Sequence, residues 1–244
     1  SDNWNHRVVF VFDLQTKNKY SVPNELGPIQ FIENETTFKD GLSYNKRTGN
    51  VVSAIIPVHI WGNACLFDNI VELCKERNIY VIEDASESLG TFYKNRHNDS
   101  HTGLIGDIGC ISFNGNKIIT TGGGGMIITN NAKFAEKAKY LITQAKDDPI
   151  FYRHNEVGYN FRLTNIQAAL GVAQLEQLPL FLRSKKQIFN YYKSNIDQVE
   201  NLCLASVPPY ANNNHWLNIL KISEGCSFSI KSIMDKLEKN GIIS

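Results

Sequence analysis

The sequence predicts an α/β fold, a mostly parallel sheet flanked by helices. Three observations carry this. Short apolar runs rich in β-branched residues recur, "RVVFVFDL" at 7–14, "VVSAIIPVHI" at 51–60 and "IYVIED" at 79–84, with the length and continuity of buried strands. An amphipathic stretch at 67–78 lies between the second and third, and helix followed by buried strand is the order of a parallel sheet. The chain has 244 residues, 42% hydrophobic and 20% charged, enough to bury a sizeable core in an ordinary globular protein.

Each element can be justified in turn. Between the first two runs, residues 16–50 are polar and turn-rich and read as a connecting excursion with one short helix. The helix at 67–78 puts Ile70, Val71 and Cys74 on one face. "IGDIGCISFN" (105–114) and "MIITNN" (126–131) read as strands on either side of a glycine run. Asn130 or Asn131 can cap a helix whose inner face holds Phe134, Ala138, Leu141 and Ile142. "RLTNIQAALGVAQLEQL" (162–178) is the clearest amphipathic helix, with Thr164 as cap and Ile166, Ala169, Leu170 and Ala173 on one stripe. A second helix is expected over about 181–199, then a strand in "HWLNILKI" and a last helix closed by Gly241.

Composition excludes several classes. Net charge is +1 without a basic stripe, which argues against nucleic acid as a partner. The apolar runs are too short to span a bilayer, and "SDNWNHRVVF" lacks the features of a signal peptide, so no membrane association and a cytoplasmic location are expected. Five cysteines without CxxC spacing read as reduced and structural, with no metal site.

"SFNGNKIITTGGGGM" (112–126) sets one lysine, Lys117, before four glycines. Asp84 closes the run "IYVIED", and in parallel α/β sheets ligands sit beyond the carboxyl ends of the strands. A lysine and an aspartate delivered to one sheet edge suit pyridoxal 5'-phosphate: the lysine forms an imine with its aldehyde and the aspartate keeps the pyridine nitrogen protonated. Gly122 to Gly125 allow positive φ beside a flat ring, and Ser112 offers a hydroxyl to a phosphate. Taken singly, each signal has a plainer reading: a cap, a turn, a solvated lysine.

Together the segments "EDASESLG", "GDIGCISFNGNKIITTGGGGM" and "GYNFRLTNIQAALG", with "IIPVHIWGN", resemble the pyridoxal-phosphate-dependent nucleotide-sugar aminotransferases of the DegT/StrS type. The resemblance implies that Lys117 is the Schiff-base lysine, Asp84 the partner of the pyridine nitrogen and Ser112 a phosphate ligand. It implies that Asn160 and Arg162 reach the neighbouring subunit's cofactor phosphate, hence a homodimer with shared sites. Glu87 stands against the cofactor where the family more often has Gln or His. His59 falls on the substrate side or is a satisfied histidine in a turn; both readings stay open.

The family's N-terminal helix and Gly-Thr-x-Ala loop have no counterpart here, and the chain stops where the family continues, so an internal portion of a longer enzyme is expected. Residues 1–180 would form the cofactor-binding large domain and 181–244 the start of a small α+β domain. The activity implied is transfer of an amino group, with glutamate as donor, to a nucleotide-linked 4-keto-6-deoxy (N-acetyl)hexosamine for surface-glycan sugars. The alternatives are a catalytically inert relative that binds or dimerises, and a related sugar dehydratase, which carries histidine where this chain has Lys117.

Overall fold

The computed structural model describes residues 10–12, 19–21, 28–67, 69–148, 150–223 and 229–242. Sequence readings that rest on Cys226, or on the first residues of the opening strand and of the last helix, lie outside them. Strands β1 (Phe10–Phe12) and β2 (Lys19–Ser21) pair antiparallel. Helix α1 (Pro28–Glu35) leads into a hairpin of β3 (Thr36–Lys39) and β4 (Leu42–Asn45). Its turn is Asp40-Gly41, with φ of 52° and 76°, the left-handed pair that matches the twist of a two-residue hairpin. Residues 16–50 therefore hold three strands as well as the expected helix.

The chain continues through β5 (Ala54–Ile56), α2 (Ile70–Glu76), β6 (Tyr80–Asp84), the short β7 (Phe92–Tyr93), β8 (Ile108–Ser112) and β9 (Gly125–Ile128). One sheet runs β2-β1-β5-β6-β8-β9. Its centre, β5, β6 and β8, is parallel, and antiparallel strands flank it on both sides. Successive strand residues point to opposite faces. Val81 packs into a core with Phe31 and Ile32 of α1 and Ile70 and Cys74 of α2. Its neighbour Tyr80 meets Phe134 of α3 (Ala132–Ile142), ring centroids 5.6 Å apart. Helices thus cover both faces, which makes the fold α/β.

Caps form where the sequence places them. Asn131 accepts hydrogen bonds from the amides of Lys133 and Phe134, and Thr164 makes a capping box with Gln167 at the start of α4 (Asn165–Ile196). Two departures concern α4. It runs unbroken through Pro179, where the sequence suggests two helices. Proline costs one backbone hydrogen bond there, and Leu178 and Phe181, packed against Ala85, Ile111, Phe113 and Ile119, hold the helix on either side of it. The stripe expected to face inward instead faces out: Ile166 is 84% exposed and Leu170 44%. The inward face is marked by buried Gly171 and by Gln174, whose Oε1 accepts from the Thr120 amide at 2.8 Å.

After α4 come β10 (Leu202–Leu204), β11 (Ala211–Asn212), β12 (Leu220–Ile222) and α5 (Ile230–Lys239). β10 pairs with β12, and β11 returns to pair with β7. That return carries the segment 213–216 toward the carboxyl edge of the main sheet. Among the described residues no helix is long and apolar enough to cross a membrane.

Candidate active site

Asp84 is the last residue of β6, Ser112 the last of β8, and Asp84 pairs in register with Cys110. Both therefore reach the carboxyl edge of the parallel centre. Asp84 Oδ1 accepts from the Ser86 amide at 3.1 Å, and burial, aided by the Asp84 carboxylate, raises the pKa of the adjacent Cys110 thiol. The chain turns after β8 through an Asn114 amide donating to Ser112 Oγ and a Lys117 amide donating to the Asn114 carbonyl. This turn sets Lys117 beyond the strand end.

The Lys117 side chain is 13% exposed, unlike a solvated surface lysine. Its ammonium lies 3.6 Å from Glu87 Oε1 and 4.5 Å from the ring centroid of Trp216. Glu87 is itself fixed, its Oε2 accepting from the Trp61 amide at 2.7 Å. Trp61 occupies the left-handed region, φ 56°, in a turn whose geometry descends from a buried network. Glu83 and His59 are fully buried, with Nε2 2.9 Å from Oε2. Glu83 also accepts from the amides of Gly103, Ile105 and Gly106. Burial opposes its charge, but His59 and those amides outweigh burial and hold the carboxyl below its ordinary value.

His59 is partnered on both nitrogens, since Nδ1 accepts from the Cys65 amide at 3.0 Å. Burial, the largest influence, lowers its pKa, and the Glu83 carboxylate raises it. The Cys65 sulfur lies 3.0 Å from the Val58 carbonyl as a thiol donor, so it brings no negative charge. An Nδ1 that accepts an amide hydrogen cannot carry its own, and the geometry favours a neutral ring protonated on Nε2. Within the chain both ring nitrogens of His59 thus have a partner, Glu83 and the Cys65 amide.

The glycines divide by role. Gly122 and Gly124 have φ of 79° and 85°. A Cβ on Gly125 would come 2.4 Å from the Ile111 carbonyl oxygen, whereas one on Gly122 or Gly123 would meet nothing within 4 Å. The run is thus part turn and part open wall. Asn160 and Arg162 are exposed; Asn160 bridges Thr143, and neither is brought against Lys117 within the chain. Around them Phe151, Tyr152, Val157 and Phe161 are each 70–79% exposed.

Sequence reasoning missed Trp216, Trp61 and Asn214. Trp216 donates from Nε1 to the Asn116 carbonyl at 2.7 Å across 100 residues of chain, and no local pattern announces such a contact. Cysteines 65, 74, 110 and 203 form no disulfide among the described residues, and no group of three or more His, Cys, Asp or Glu among them could hold a metal.

A profile of the DegT/DnrJ/EryC1/StrS aminotransferase family matches residues 43–244. The putative pyridoxal phosphate-dependent aminotransferase EpsN of Bacillus subtilis is 41% identical over 79% of this chain and 48% of its own length. GDP-perosamine synthase of Escherichia coli O157:H7 is 41% identical over 68% of this chain and 45% of its own. The solved structure of Helicobacter pylori PseC, an aminotransferase of pseudoaminic acid biosynthesis, superposes with TM-score 0.71 at 26% identity, over 78% of this chain and 51% of that one. The chain spans about half the length of the relatives it matches. With a family profile over most of its length, the chain belongs to the DegT/DnrJ/EryC1/StrS aminotransferase family.

Proposed function

We propose that the protein transfers an amino group from an amino acid, glutamate being the expected donor, to the C4 keto group of a nucleotide-linked 6-deoxyhexose, with pyridoxal 5'-phosphate held at Lys117. The observation that carries the reading is the partly buried Lys117 ammonium at the carboxyl edge of the sheet, with Glu87 3.6 Å away and the strand-end residues Asp84 and Ser112 at the same edge. These residues fit the cofactor by their chemistry: one sheltered amine, one carboxylate at a strand end and one hydroxyl. Lys117 would hold it covalently, Asp84 would face its ring nitrogen, Ser112 its phosphate, and Glu87 its ring. When bound, the cofactor supplies an electron sink next to the carbon that is aminated.

The chain's own residues do the rest. With the cofactor bound, Lys117 Nζ would be the base that takes and returns the proton on the substrate carbon. Asp84, held by the Ser86 amide, supplies fixed negative charge. The glycine wall at Gly122 and Gly123 leaves room for a flat group. Asn160 and Arg162 would serve the partner subunit of a homodimer. The exposed apolar side chains around them and along α4 support that reading, since large exposed patches mark association surfaces. A cofactor-binding portion to about residue 180 and the start of a smaller α+β portion after it belong to the same proposal.

For the sugar, the relatives divide. One is named GDP-perosamine synthase. Another, 30% identical, is the UDP-4-amino-4,6-dideoxy-N-acetyl-beta-L-altrosamine transaminase of Campylobacter jejuni, whose name supports amination at C4 of a UDP-linked N-acetylated sugar. A panel of GDP- and UDP-linked 4-keto-6-deoxy sugars, with and without the N-acetyl group, incubated with glutamate and read by product mass, tests the proposal. A product carrying a 4-amino group from a UDP-linked N-acetylhexosamine is expected. No amination of any member overturns the activity, and amination of GDP-linked sugars alone overturns the finer assignment.

A further inference from the structure

We infer that Trp216 is a positioning residue that holds the Lys117 amine in place from the far side of the site. The inference rests on the reading of Lys117 as the reactive amine and adds a residue that lies outside every motif of that reading. Lysine ends in a compact charge on a flexible four-carbon stem, so one carboxylate at 3.6 Å fixes its distance but not its direction. The indole face 4.5 Å from Nζ supplies the second constraint, because a ring face attracts a cation within about 6 Å. The same ring fastens the backbone beside the lysine, donating Nε1–H to the carbonyl of Asn116 at 2.7 Å.

Trp216 is anchored on every side available to it. It is 7% exposed, its carbonyl accepts from Lys185 Nζ at 3.2 Å, and its amide donates to Asn214 Oδ1 at 3.0 Å. Asn214, fully buried, donates from Nδ2 to the carbonyls of Glu87 and Leu89 at 2.9 and 3.0 Å, and its amide donates to Thr91 Oγ1. The staple runs between the segment that carries Glu87 and the segment that carries Trp216, so the two partners of Lys117 are held at a fixed separation. Gly62 leaves the space for it: a Cβ there would stand 2.0 Å from Asn214 Oδ1. A tryptophan serving only as core would turn its face to apolar side chains; this one turns it to an ammonium.

The test is reductive methylation of the full chain with formaldehyde and a borane, without added cofactor, followed lysine by lysine with peptide mass spectrometry. Methylation requires the amine free of its partners. In W216L the labelling rate of Lys117 is expected to rise about three- to tenfold relative to Lys137 and Lys193, the range a lost cation–π contact supports. W216F, which keeps a ring face, is expected to stay closer to the parent protein. A purely structural role would raise all three lysines together, or none, and would not separate the two variants. Lys117 labelling unchanged in a folded W216L overturns the inference. Should W216L fail to fold, W216F decides: retained protection of Lys117 supports the inference, and protection lost in a folded W216F overturns it. Because the labelling needs no cofactor, its failure is separate from failure of the proposed activity, which the sugar panel reads.

Discussion

The ammonium of Lys117 and the carboxylate of Glu87 stand 3.6 Å apart with side chains 13% and 23% exposed. A carboxylate accepts but does not donate hydrogen bonds, so it can attract the lysine while offering no donor to a ring lying against it. Glu87→Gln puts an amide in place of the carboxylate. It removes the charge while keeping the shape, and is expected to alter the absorbance spectrum of bound cofactor while the midpoint of unfolding changes little. An identical spectrum would remove Glu87 from the site.

Asp84→Asn is expected to leave cofactor binding measurable and to lower turnover by about 10²-fold, the scale on which fixed transition-state charge acts. The amide cannot hold a ring nitrogen protonated as a carboxylate does. Steady-state kinetics on the sugar aminated by the parent protein provides the comparison, and turnover within a factor of two of the parent contradicts the role.

Arg162→Ala is expected to weaken cofactor affinity about ten- to hundredfold, the worth of a charge-assisted hydrogen bond, without altering reactivity at Lys117. At cofactor concentrations too low to load the Arg162→Ala chain, mixing it with the inactive Lys117→Ala chain should restore activity, because one of the two proposed shared sites in the mixed dimer would be intact. An active monomer at high dilution, or no complementation, would refute the shared site.

The buried pair of Glu83 and His59 gives a stability prediction. Glu83→Ala leaves the amides of Gly103, Ile105 and Gly106 and the His59 ring without their acceptor, and should cost about 3 kcal/mol or more in denaturant unfolding, at about 1–3 kcal/mol for each buried donor left unsatisfied. Because the folded pKa of Glu83 is depressed, its contribution is present above the unfolded value of about 4.3 and is lost as pH falls through the lower folded value. His215 adds a second acid-sensitive element. Burial, then Lys186, lowers its pKa to about 4. Between about 6.5 and 4 the unfolded chain binds the proton more readily, so stability declines as pH falls through that window. His215→Phe, which keeps the ring against Phe189 at 4.4 Å, should flatten part of that decline. An unchanged pH slope would show that His215 does not drive it.

Gly62→Ala should destabilise the fold by about 2 kcal/mol or more. Its φ of 82° resists a side chain, and the new Cβ would fall 2.0 Å from Asn214 Oδ1. Thermal unfolding of the variant against the parent measures this, and an unshifted midpoint would mean that the Asn214 staple yields easily.

Much of the fold was legible because local rules and the tertiary structure agree. Asn131 and Thr164 cap where a polar residue precedes a helical period, and "IYVIED" is a strand whose Val81 and Glu83 are buried on one face while Tyr80 meets Phe134 on the other. The β3–β4 hairpin was missed although Asp40-Gly41 is a strong turn signal; its strands are short and mostly polar, so the alternation that should have flanked the turn is weak. On α4 the period was right and the face was wrong, because Gly171 and Gln174 dock the helix while Ile166 and Leu170 stay outside. Strand ends carry Asp84 and Ser112 predictably to one edge. Trp216 and Asn214 were invisible, since their partners lie more than a hundred residues away or close to it and only the return of β11 to β7 brings them in.

The most direct measurement is covalent. The full chain is incubated with pyridoxal 5'-phosphate, reduced with borohydride, digested and mapped by peptide mass spectrometry. A phosphopyridoxyl group is expected on Lys117, in the peptide that contains "NGNKIITTGGGGM", and is expected to be absent from that peptide in a folded Lys117→Ala variant. Labelling that falls on other lysines while Lys117 stays unmodified would contradict it.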